Sequence, residues 1–403
     1  MAGAKQRALI FILLTVLMDV VGFSIIIPVI PDLLKKLTHF STGEVASIGG
    51  WLLMSTAAMQ FLFAPVMGEL SDRIGRRPVL LMALAGLGID YIIHAYAPSV
   101  AWLFFGRILA GIFGSSHTVA MAYVADVSTQ EEKARNFGMI GAVFGLGFII
   151  GPLIGGIFAK WGVEVPFLVA AGLTLLNLLF GFFILPESLK PELRRPVNFK
   201  KMIPGVSLFR LGSYKAFAAL LFAFFLAMVA GQTLPSVWTY FTIEMYNWGA
   251  FEVALSLAAV GLLVAVVQGF LLGKIVSRFG SRRTILIGFV CWTVGMGMYA
   301  FSFEEYILYA ALIPYCLGGV GSPTLQSLIS NHVSQREQGN LQGTMTSMAS
   351  LAMIITPPLM TQVFSTFTTS TEHYFPGAPF ALAAVILLVG TFIALNGLSK
   401  LDT

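Results

Sequence analysis

Apolar residues run along this chain in long blocks, broken by short polar clusters. A helix that crosses a bilayer needs about 20 mostly apolar residues. That ruler places twelve spans, at 8–33, 45–68, 78–97, 100–124, 135–160, 165–186, 214–241, 250–273, 283–303, 305–330, 339–365 and 377–398. The longest segment that is not apolar, Glu187 to Ser213, reads as a linker, and no stretch remains for a soluble domain. The first run, Ala8 to Ile30, is too long for the apolar part of a secretion signal, and no small-residue cleavage site follows it. It is expected to stay as the first helix.

The pattern repeats. Gly68-Glu-Leu-Ser-Asp72-Arg73-Ile-Gly75-Arg76-Arg77 returns, at an offset of 205 residues, as Gly273-Lys-Ile-Val-Ser277-Arg278-Phe-Gly280-Ser-Arg282. The same offset carries Thr129–Glu132 onto Ser334–Glu337, Gly138 onto Gly343 and Pro152 onto Pro357. One constant offset over that much chain predicts a duplication. The expected architecture is an all-α polytopic membrane protein of twelve transmembrane helices in two pseudo-symmetric six-helix bundles, 1–186 and 214–403, joined by a cytoplasmic linker at 187–213.

Composition narrows the class. The chain is 57% hydrophobic and 11% charged, with a mean hydropathy of +0.86, where soluble domains carry about 25% charged residues. A soluble enzyme, a disordered chain and a disulfide scaffold are excluded. The 41 glycines suit close helix packing. Cys291 and Cys316 sit in apolar runs and read as small buried side chains. The net charge of +5 reflects orientation rather than nucleic-acid binding. Of 24 Lys and Arg, 20 fall on one set of loops, Lys35, Lys36 and Lys160 on the other, and Arg107 within a span. The positive-inside rule then puts both termini in the cytoplasm and the protein in the inner or plasma membrane. The basic stretch Phe199 to Lys215 suits either the inner membrane surface or a solvated linker.

Charges inside spans carry the candidate chemistry. Asp19, Asp90 and Arg107 each cost about 2.5–3.5 kcal/mol or more near the bilayer centre. The aspartates read as proton-coupling groups with Arg107 as partner; a static structural pair is the plainer alternative. His94 lies four residues after Asp90 on the same helix face and is grouped with them. His117, Gln60, Gln232, Gln268, Gln326 and Trp238, with Asn177, suit substrate contact, or else interhelix hydrogen bonds worth about 0.6 kcal/mol each. In the loop after the second span, Gly68 and Gly75 allow sharp backbone, Asp72 can accept bonds, and Arg73, Arg76 and Arg77 can reach acids such as Asp126. Gly147, Gly151 and Gly155 share one face of the fifth span, beside Pro152 and Gly156. The chain carries no metal-ligand cluster, no GxxxxGK[ST] loop, no paired catalytic acids and no Ser–Lys dyad. Neither catalysis, metal, cofactor nor ATP is expected; the expected partners are a small molecule, protons and lipid, with the chain acting as a monomer.

The loop GELSDRIGRRPVL resembles the cytoplasmic signature of the major facilitator superfamily, and Gly147–Gly156 resembles the fifth-helix signature of its drug–proton antiporter branch. MDVVGFSIIIPVIPDLL from Met18, IDYIIHAYA from Ile89, LFFGRILAGIFG from Leu103, YNWGAFEVALSLAAVGLL from Tyr246, and PTLQSLIS with QGNLQG from Pro323 are similar to the tetracycline-resistance efflux proteins. The resemblance implies that the loop network latches the cytoplasmic side in the outward-facing state. It implies a weaker second copy, where Ser277 and Asn331 replace Asp72 and Asp126. It places acids at Asp19 and Asp90 and matches the four glutamines. Where family members carry a helix-8 histidine and a helix-9 aspartate, this chain has Val264 and Trp292, so coupling rests on the first half. The expected function is a secondary active transporter that exports a small amphipathic, antibiotic-like compound in exchange for protons by alternating access. A proton-coupled importer of a nutrient or metabolite, or a non-transporting membrane receptor, stands beside it.

Overall fold

The computed structural model describes residues 2–114, 116–129, 131–197, 202, 204, 205, 217–334 and 337–399. The basic stretch Phe199 to Lys215 lies outside them, apart from Met202, Pro204 and Gly205. Among the described residues eleven helices are long and apolar enough to cross a bilayer. One of them, Ala250–Ala300, has 51 residues, about 77 Å at 1.5 Å per residue, against a hydrocarbon core of about 30 Å. It holds two passes, divided at Gly280, whose φ of 75° and ψ of 161° leave the helical region. Counted so, the spans number twelve.

The chain forms two compact units by contact: Met1–His39, Ser55–Pro204 and Gly249–Ala258, and then Phe40–Met54, Gly205–Trp248 and Ala259–Thr403. In the first lie α1 (Ala2–Ile25), α2 (Ile30–Thr38), α4 (Arg76–Ala95), α5 (Val100–Phe113), α6 (Ser116–Val127), α7 (Lys133–Phe158) and α8 (Val165–Ile184). In the second lie α9 (Ala218–Gly231), α10 (Thr233–Tyr246), α12 (Leu272–Ala300), α13 (Glu305–Gly318), α14 (Gly321–Asn331), α15 (Gln338–Thr369) and α16 (Ala378–Ser399). The helices α3 (Thr42–Ile74) and α11 (Ala250–Val266) begin in one unit and end in the other.

The two units pack alike. In the first, α1 lies against α7, and α4 against α5 and α8. In the second, α9 lies against α15, and α12 against α13 and α16. The offset of 205 carries α1, α4, α5 and α7 onto these mates, and α16 lies about ten residues beyond where it would carry α8. It also carries the interruptions. The first span breaks between Ile25 and Ile30, where Pro28 and Pro31 withhold backbone donors, and its mate breaks at Gln232, ahead of Pro235. The fourth span breaks after Gly114 and its mate after Gly319. Within α3 stands Pro65; at the matching turn of the second copy the helix widens into a π-helical turn, Val267–Leu271.

Close approach depends on the glycines of α7. A Cβ on Gly147 would lie 2.6 Å from Val20, on Gly151 1.9 Å from Ser24 Oγ, and on Gly155 1.9 Å from the Ile25 carbonyl oxygen. The Ser24 hydroxyl donates to the Gly147 carbonyl at 3.0 Å across this interface. Gly156 faces the other way, toward Ala250 and Ala254 of α11. Backbone atoms cannot yield to an added side chain as a flexible tip can. Gly155→Leu is therefore expected to destabilise the protein by about 1–3 kcal/mol or more, read as a lower Tm in detergent. Gly138→Leu, on the same helix with open space around it, should leave Tm unchanged.

Candidate functional site

Three charged or titratable side chains meet inside the first unit. Asp90 and His94, one turn apart on α4, are both fully buried, and Arg107 on α5 is 5% exposed. Arg107 Nη2 lies 3.3 Å from Asp90 Oδ2, and His94 Nδ1 lies 2.9 Å from Asp90 Oδ1. Arg107 Nε donates to His94 Nε2 at 2.9 Å. The third side of the cluster is closed by Phe167 of α8, stacked on the imidazole with ring centroids 5.7 Å apart. Space for the group comes from Gly106, where a Cβ would stand 2.6 Å from Asp90 Oδ1 and 2.7 Å from His94 Cε1. Spacing reasoning pairs Asp90 with His94 but misses Gly106 and Phe167. The one available signal is a glycine directly before a charge within a span.

Asp19 lies apart from this cluster. It is half-buried and shares a narrow crevice with Thr15, His117 and Phe144. The His117 imidazole meets the Phe144 ring edge-on at 4.8 Å. Gln60 donates to the Gly114 carbonyl at 3.2 Å, where the fourth span breaks, so it fills the bond that the interruption leaves open. Asn177 is likewise spent on packing, donating to the Thr15 carbonyl at 3.1 Å.

The second unit holds a cavity of about 460 Å³. Its walls include Val264, Gln268, Trp292, Tyr315, Ser322 and Gln326, with no acid, lysine, arginine or histidine among the lining residues. Gln268 projects from the π-helical turn, a local distortion that recurs at binding sites. Gln326 donates to Gln342 at 2.9 Å. Trp292 is clamped: a Cβ on Gly231 would lie 2.9 Å from its ring, and one on Gly318 2.4 Å from its Cβ. Ser322 Oγ, in a residue only 7% exposed, has no hydrogen-bond partner among the described residues. Two sequence candidates sit elsewhere. Trp238 is 1% exposed and packs against Tyr299 at 5.1 Å and Phe380 at 6.4 Å in an aromatic core. Gln232 forms the junction of α9 and α10, its carbonyl accepting from the Ser236 hydroxyl at 2.6 Å. It is not among the residues lining the cavity.

The loop after α3 is a dense polar node within the first unit. Arg76 Nη1 reaches Asp72 at 2.5 Å and the Ser71 hydroxyl at 2.6 Å, while its Nε reaches Asp126 at 3.2 Å. Of the three arginines only Arg76 meets these acids. Arg77 turns to the Phe182 carbonyl and ring, and Arg73 is exposed, because successive helical positions point in different directions. Gly75 adopts φ 110°, which a side chain would strain. The largest omission from the sequence reading is Glu187, which looks like a linker residue. Its carboxylate accepts from the Arg76 and Arg77 backbone N–H groups at 2.9 and 3.2 Å, capping α4, and from Leu189 N–H at 3.0 Å. In the second copy the Ser277 hydroxyl turns back to the Lys274 carbonyl of its own helix at 3.0 Å, and nothing stands within 4 Å of where a Gly280 Cβ would be. On the opposite loops, a backbone hydrogen bond and then the Lys36 ammonium at 3.1 Å hold the Glu164 carboxyl below the usual carboxylate range.

Comparison with known proteins gives a consistent picture. The family model described as Major Facilitator Superfamily matches residues 12–357 and 220–396. The chain is 41% identical to the class C tetracycline resistance protein of Escherichia coli over 362 residues, 90% of each chain. It is 36% identical to the class G protein of Vibrio anguillarum, over 95% of this chain and 96% of that one. The crystal structure of the human organic anion transporter MFSD10 superposes with a TM-score of 0.70 at 22% identity, covering 97% of this chain and 99% of that one. The nucleoside transporter NupG superposes with a TM-score of 0.77 at 12% identity, with the same coverage.

Glu187→Ala removes a charged cap from α4. It is expected to cost about 0.5–2 kcal/mol, seen as a drop in Tm. The exposed Glu192→Ala should stay within about 0.5 kcal/mol of the parent protein.

Proposed function

Since the chain belongs to the major facilitator superfamily, we propose that it exports a small amphipathic, drug-like compound in exchange for protons, by alternating access. The observation that carries the coupling half of this reading is the fully buried Asp90 facing Arg107. A buried ion pair tolerates its loss of water only while both charges are present; removing one leaves the other uncompensated, at a cost of about 3–5 kcal/mol. A proton delivered to Asp90 does just that to Arg107. That supplies most of the about 5.5 kcal/mol a complete switch between two states needs, and Asp19 offers a second acid on the same unit.

Support for the cargo comes from two sides. Relatives at 33–41% identity are tetracycline resistance proteins, and the cavity of the second unit offers an aromatic wall and two amides to a flat amphipathic molecule. The excess of Lys and Arg on one set of loops supports cytoplasmic termini. The chain works as a monomer in this reading, and neither metal nor cofactor takes part.

Purified protein should release protons when tetracycline is added, and Asp90→Asn should abolish that release along with gradient-driven transport in proteoliposomes. Proton release retained in the variant would remove Asp90 from the coupling step. Trp292→Ala is expected to weaken tetracycline binding about tenfold, or about 1.4 kcal/mol, measured by equilibrium binding in detergent.

A further inference from the structure

His94 sits between the carboxylate and the guanidinium, and its hydrogen bonds admit one assignment. A guanidinium N–H can only donate. Arg107 Nε lies 2.9 Å from His94 Nε2, so Nε2 must offer its lone pair and carries no proton. The ring proton is then on Nδ1. That atom donates to the Asp90 backbone carbonyl at 3.0 Å and stands 2.9 Å from Asp90 Oδ1. A second proton on the imidazole would set N–H against N–H at the Arg107 contact, in a place sealed by Phe167 and closed to water.

We propose that His94 is a fixed, neutral positioning residue, which locks the Arg107 fork onto Asp90 and does not itself carry the transported proton. The proposal rests on the reading of Asp90 as the coupling site and adds what sets that site's geometry. One ring nitrogen holds the arginine through Nε, so that Nη2 is aimed at Oδ2. The other donates toward Oδ1. The carboxylate is thus gripped from two helix positions that differ in chemistry, one charged and one neutral. The charged and titratable groups around the ring are Asp90 on α4 and Arg107 on α5. Tyr91 of α4 feels the charge of Asp19 on α1 together with those of Asp90 and Arg107, so Asp19 belongs to the same set. From α8 the facing group is the uncharged Phe167.

Glutamine offers a decisive substitution. Its amide accepts through one atom and donates through another, as the neutral imidazole does, but it cannot take up a proton. His94→Gln should therefore keep proton-driven tetracycline transport within about threefold of the parent, with its pH midpoint unmoved. His94→Leu removes both bonds. The carboxylate then loses a donor to its charged form, and the pH midpoint should move toward alkaline pH by at least about half a unit. A second readout is independent of transport. In protein labelled with nitrogen-15 in histidine, the resonances absent from His94→Gln should report a neutral ring protonated at Nδ1 from about pH 5 to 9. Loss of transport in His94→Gln together with a titrating ring would overturn the proposal and make His94 a proton carrier. A ring that stays neutral while Asp90→Asn still transports with coupled proton flux would leave the bridge intact and refute the coupling site instead.

Discussion

Asp90 and Arg107 cannot leave one another. Each is buried where water does not reach, and either alone would be a charge in a medium that does not solvate it. Much of the first unit is arranged around this constraint. The helices α4 and α5 must approach closely enough for the pair to meet, which only Gly106 allows. His94 accepts from Arg107 Nε–H and stands against Asp90 Oδ1. The open side must be closed by an apolar surface, which Phe167 supplies. An apolar replacement of the pair would satisfy the same space with less demand on its neighbours. That the demanding solution is present argues for a group whose charge is meant to change.

The units differ in chemistry although they share a plan. Their helices pack in the same pairs and break at the same offsets, yet the first keeps the buried charges and the second has a cavity walled by aromatic rings, amides and hydroxyls. Val264 and Trp292 are both on that wall. An aliphatic and an indole side chain there leave shape and stacking, rather than charge, as what the wall presents. The cavity wall is correspondingly rigid, since Trp292 is held between two glycines and cannot turn to suit a ligand.

Much of this was legible before any coordinates. Span lengths, the repeat and the intramembrane charges are properties of local composition, and the bilayer converts them into topology with few alternatives. The offset relates the interruptions after Gly114 and Gly319, but nothing in the pattern of either span announced them. Contacts between segments distant in sequence were harder to read. Glu187 acts on α4 from more than a hundred residues away, and a carboxylate in a linker has no pattern that singles it out. Trp238 shows the opposite failure: an amphipathic side chain in a span invites a ligand contact, but an aromatic core needs the same residue type. Arg73, Arg76 and Arg77 look interchangeable as letters, and the helical turn alone decides which one meets the acids.

One correspondence between the copies reaches further. At the same turn of the second helix of each unit, the first copy has Pro65 and the second a π-helical turn. The residues have nothing in common. What they share is a missing rung: proline cannot donate one, and the π-turn stretches past it. A rod with a single soft joint bends there and stays stiff elsewhere. The duplication has thus preserved a compliance rather than a sequence: each copy of the repeat keeps a long helix with a soft joint at the matching position along the chain.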